Sequence, residues 1–148
     1  MVKPIRAHIM LGDYAAVFDG KLTIVGAGWN FTGPDPTPSA IGLMFHVPWD
    51  QTNRRHTWSL VLRDGDGNVL TDDAGNALQL GGTFEAGRPP GHPAGTSIPM
   101  AQAINVGPLP LVPGSRYVWE LTIDDEGDEE WTAAFSVRPR PGPTRIAS

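Results

Sequence analysis

The chain has no cysteine, which excludes disulfides, thiolate metal sites and cysteine nucleophiles together, and which fits a protein of a reducing, cytoplasmic compartment. Lysine is almost missing too. Lys3 and Lys21 are the only two among eleven basic residues, and sixteen acidic residues leave a formal charge of −5. That sign is wrong for a surface that follows nucleic-acid phosphates by counterion release, so nucleic acid is not an expected partner. No run of about 18 apolar residues could cross a bilayer, and no membrane partner is expected. The first residues, with Arg6 and His8 among apolar side chains, lack the unbroken apolar core of a secretion signal. No window keeps a 3.6-residue apolar period long enough for a helix, and no internal repeat is evident.

Glycine and proline are plentiful instead, at 18 and 15 of 148 residues. They cluster between apolar runs and read as turns, so their abundance does not signal disorder. The runs alternate with period two. Strands are expected at Ile5 to Leu11, Tyr14 to Phe18, Lys21 to Val25, Ala40 to Val47, His56 to Arg63, Leu78 to Phe84, Ile98 to Val106, Arg116 to Ile123 and Trp131 to Val137. Asp19-Gly20 has the composition of a type I′ hairpin turn. Trp58, Trp119 and Trp131 fall on core stripes. Eight or nine short strands at this spacing predict an all-β fold, an antiparallel β-sandwich, as one domain over residues 1–138 with an extended tail at 139–148.

Two resemblances follow from particular residues. Leu111-Val112-Pro113-Gly114-Ser115-Arg116-Tyr117 resembles the tyrosine corner of immunoglobulin-like and fibronectin type III sandwiches, which implies an immunoglobulin-like fold and a structural role for Tyr117. Asp13-Tyr14-Ala15 with Gly20-Lys21-Leu22-Thr23-Ile24-Val25-Gly26 is similar to the D-Y-A and G-K-L-x-I-x-G motifs of an uncharacterised family of small bacterial proteins. That likeness implies a β-sandwich and transfers no functional residue.

The motifs that suggest chemistry each fail at a definite residue. Asp64, Asp66 and Asn68 begin like a calcium loop, but Val69 stands where the sharp-turn glycine belongs and Gly75 where the bidentate glutamate belongs. Gly26, Gly28 and Gly33 suggest a dinucleotide fingerprint, yet Phe31 occupies the third glycine position and no helix follows. The acidic run Asp124 to Glu130 reads as a solvated loop. His8, His46 and His56 all lie in strands and would make a zinc site only by converging in space. No serine has a nucleophile-elbow context. A hydrolase would need an acid pair assembled in space, such as Glu85 with Asp50, and nothing in their spacing joins them.

No cofactor and no catalytic residue is therefore expected. The remaining features are the loop from Ala86 to Pro99, with four prolines and three glycines in fourteen residues, and two tryptophans near loops. A proline-stiffened loop loses little entropy on binding, and exposed tryptophans favour interfaces. The expected function is a non-enzymatic protein-binding or assembly module, contacting a protein partner or another copy of itself through Arg88, Pro89, Pro90, His92, Trp29 and Trp49. The alternative is a small-ligand or carbohydrate-binding sandwich in which Trp29 or Trp49 stacks on the ligand.

Overall fold

The computed structural model describes residues 4–142. The chain is all-β, with strands β1 (Arg6–Gly12), β2 (Tyr14–Phe18), β3 (Lys21–Val25), β4 (Phe31–Thr32), β5 (Ser39–Val47), β6 (Arg55–Asp64), β7 (Gln79–Glu85), β8 (Ile98–Val106), β9 (Arg116–Ile123) and β10 (Glu126–Val137). They form a three-stranded sheet in the order β1-β5-β8, a five-stranded sheet in the order β4-β10-β9-β6-β7, and the β2-β3 hairpin. No helix among the described residues is long and apolar enough to cross a membrane. Pro139–Gly142 carry no strand, and the rest of the expected tail, 143–148, lies outside the described residues.

Period-two alternation supplies the core directly. Ile41, Leu43, Phe45 and Val47 on β5 face Trp58, Leu60 and Leu62 on β6 and Tyr117, Trp119, Leu121 and Ile123 on β9, all buried in one cluster. Burying each of these side chains is worth about 1.5–3 kcal/mol, so the paired stripes are what holds the sheets together. Phe45 and Phe84 stack across the sheets with ring centroids 4.2 Å apart. Tyr117 closes the corner as expected, its hydroxyl accepting from the Val112 N–H at 2.7 Å.

Four expectations need correction. The strands among the described residues number ten, because Phe31–Thr32 adds a two-residue strand too short to show a period, and it runs parallel to β10. The acidic run is not all loop: only Asp124 and Asp125 form the turn, both at positive φ, and β10 begins at Glu126. Trp131 is only half-buried, because β10 is irregular between Gly127 and Thr132 and loses its alignment with the core there.

The chain does contain a repeat. Leu62-x-Asp64-x-x-Gly67-Asn68-x is followed by Leu70-x-Asp72-x-x-Gly75-Asn76-x and then Leu78. Each copy makes the same turn: the aspartate Oδ1 accepts two downstream backbone N–H groups, and the glycine sits near φ +85°. That is the three-residue hairpin loop with a glycine bulge. The leucines then close a ring of backbone bonds, Leu62 donating to Leu78, Leu78 to Leu70 and Leu70 to Leu62. The Asp64 carboxylate thus serves its own turn, as the failed calcium pattern indicated.

The β2-β3 hairpin lies as an extra layer on the three-stranded sheet. Leu22 and Ile24 rest against Gly42, where an added Cβ would come within 3.0 Å of Leu22 and closer still to Ile24; Gly12 likewise leaves room for Ile24. Asn105 of β8 ties the hairpin down, its amide accepting from Ala15 N–H at 3.0 Å and donating to Ala15 C=O at 2.8 Å.

Candidate functional site

The six candidate residues do not form one surface. Arg88 and Trp49 meet, but they meet each other. The guanidinium lies 4.2 Å above the Trp49 ring, its Nε donates to Thr52 Oγ1 and its Nη2 to the Trp49 carbonyl, each at 2.7 Å. With Asn53 N–H donating to Ala86 C=O at 2.7 Å, these bonds pin the start of the loop to the 3-10 turn at Trp49–Gln51. Arg88 is therefore a strap within the fold while remaining exposed at the surface. Beyond it, Pro89, Pro90 and His92 are exposed on two successive tight turns, closed by His92 N–H to Pro89 C=O and Thr96 N–H to Pro93 C=O.

Trp29 sits elsewhere. It is half-buried, edge-on to Phe135 at 5.8 Å, and lines a cavity of about 410 Å3 with Phe31, Trp119 and the 33–38 loop. None of the other five candidates shares this cavity.

The histidines separate as well. His8 and His46 meet edge-to-face at 5.4 Å on the outer face of the three-stranded sheet. Burial, followed by the charges of His8 and Arg6, holds His46 below its ordinary value of 6.5. His56 is buried, its Nδ1 on the Asp124 carboxylate at 2.7 Å and its Nε2 donating to the Gln51 carbonyl at 2.9 Å. Both ring nitrogens are occupied, so the three strand histidines do not converge. Among the described residues no group of three or more His, Cys, Asp or Glu gathers to hold a metal. Glu85 ends β7 opposite Arg55, and Asp50 lies in the 3-10 turn, both exposed.

The surface that sequence reasoning missed is the hairpin. Seven large apolar side chains are exposed among the described residues, and five of them, Met10, Tyr14, Val17, Phe18 and Val25, fall within residues 10–25. Register explains it. Ala15, Leu22 and Ile24 turn toward the sheet, so Tyr14, Phe18 and Val25 point outward, exposed by 52%, 63% and 55%. The available signal was that both faces of Tyr14–Phe18 are apolar, one face more than a single core can cover.

This hairpin carries the D-Y-A and G-K-L-x-I-x-G residues, and the model of one family matches residues 7–138, from β1 through the end of β10. The chain belongs to a family of unknown function (DUF6941). No curated protein and no solved structure matches it. The DUF6941 match takes in the hairpin, the Trp29 cavity walls and both leucine-turn repeats together.

Proposed function

We propose that this DUF6941 chain is a non-enzymatic protein-binding or assembly module of the cytoplasm, an immunoglobulin-like β-sandwich whose contact surface is the outward face of the β2-β3 hairpin. The observation that carries it is the concentration of exposed Tyr14, Phe18 and Val25 on one small element. A monomer rarely exposes grouped apolar side chains without a use for them, and aromatic residues are the usual anchors of interfaces. The hairpin is also held from below by Asn105, Gly12 and Gly42, so its outer face is presented ready-formed. The Tyr117 corner supports the immunoglobulin-like reading, and the charge of −5 speaks for protein over nucleic acid.

The test is photo-crosslinking in cells with a benzophenone side chain in place of Thr23, which lies on the outward face. The expected result is a discrete adduct, at twice 15.9 kDa for a second copy or at another defined mass for a different protein, that disappears in the Tyr14→Ser, Phe18→Ser variant. A protein that stays monomeric in solution and gives no adduct overturns the proposal. The small-ligand reading has a separate observation in its favour, the cavity beside Trp29.

A further inference from the structure

We infer that the cavity beside Trp29 is a binding site for a small organic cation, an amine or quaternary ammonium carried on an aromatic or alkyl body. Its volume, about 410 Å3, is within the range of sites that enclose small molecules. Trp29, Phe31, Trp119 and Phe135 all contribute to its walls, and Trp119 and Phe135 are themselves buried core residues. Its walls are therefore largely rigid.

Charge selects the ligand. No lysine, arginine or histidine lines the cavity, and its two ionisable side chains are Asp13 and Asp35. Asp35 is already paired with Arg140 at 2.9 Å. Asp13 is exposed, and its backbone N–H donates to Val25 C=O at 2.8 Å, but its carboxylate has no hydrogen-bond or ion-pair partner among the described residues and lines the same cavity as the aromatic rings. Ring faces and a carboxylate attract the same sign of charge, and an anion would meet neither compensation. One wall ring already carries a cation, the Arg138 guanidinium lying 4.8 Å over Phe31.

The walls are also set in advance. Pro34, Pro36 and Pro38 stiffen the 33–38 loop, and backbone bonds from Ser136 to Asn30 and from Arg138 to Thr32, each 2.9 Å, fasten β4 to β10. Little ordering remains for a ligand to impose. The cavity has no residue in common with the outward hairpin side chains, so this inference stands apart from the protein-binding reading.

The test is a titration of the full chain with three probes that share a phenyl ring and differ in charge: 2-phenylethylammonium, 2-phenylethanol and 3-phenylpropionate. Binding is followed by the indole N–H signals in two-dimensional NMR. The ammonium is expected to bind about tenfold more tightly than the alcohol, with the carboxylate weakest, and to shift the Trp29 signal. Asp13→Asn, an exposed change that leaves the core intact, is expected to remove the preference for the ammonium over the alcohol. The Tyr14→Ser, Phe18→Ser variant is expected to keep it, which separates this site from the hairpin. Absence of saturable shifts with the ammonium, or equal affinity for all three probes, overturns the inference.

Discussion

Asp124 combines a turn and a buried contact in one residue. It and Asp125 take left-handed conformations, at φ 51° and 64°, so the β9-β10 hairpin turns in two residues without a glycine. Its Oδ1 accepts from Thr57 N–H at 3.0 Å and its Oδ2 faces the Nδ1 of buried His56. Burial alone would raise the Asp124 carboxyl; the His56 hydrogen bond, then the Thr57 amide and the charges of His56 and Arg54, outweigh it and leave the group below its ordinary 3.8. A carboxyl depressed in the folded state contributes stability above its unfolded value and loses it as pH falls through the folded one. Because the Asp124 side chain is nearly half exposed and solvent screens it, Asp124→Asn is expected to cost no more than about 1 kcal/mol near neutral pH, with the gap to wild type closing below about pH 4. Urea unfolding at a series of pH values measures it, and a gap independent of pH would contradict the assignment. His56 in a strand was legible in the sequence; its partner, 68 residues away, was not.

At the scale of elements, the hairpin depends on two glycines that the motif does not contain. Gly12 and Gly42 are the floor on which Leu22 and Ile24 rest. Gly42→Val is expected to destabilise the protein by about 1–3 kcal/mol through overpacking and to raise amide exchange in β2 and β3 above that in β9. An unchanged unfolding midpoint would show that the hairpin does not bear on the sheet. Strand positions were readable from alternation because one residue step turns a side chain to the opposite face. The hairpin was readable as a hairpin, but which face stays open depends on what lies beneath, and no local pattern encodes that. Arg88 shows the same limit: in the sequence it is a polar anchor on a proline-rich loop, whereas the fold brings Trp49 and Thr52 under it and satisfies its Nε and Nη2.

For the whole molecule, the layers differ in how they are held. The two larger sheets share a core in which Leu43, Phe45, Leu60, Leu62 and Leu121 have no exposed surface, whereas the hairpin attaches through a few side chains on the outer face. Native-state hydrogen exchange is expected to show β5, β6 and β9 opening only with global unfolding and β2-β3 opening at lower free energy. Equal protection in all three layers would refute that order. The all-β class, the position of nearly every long strand, the Asp19-Gly20 turn and the Tyr117 corner are written locally along the chain. These follow from the alternation of side chains and the backbone demands of turn residues, which act over a few positions. Tertiary structure alone decided the parallel β4-β10 pair, the ring of Leu62, Leu70 and Leu78, the splitting of Trp29 from Trp49, and the union of Asp13 with aromatic rings more than a hundred residues away. Contacts between distant segments arise when sheets bury their apolar faces together, and that choice of partner depends on the whole chain at once.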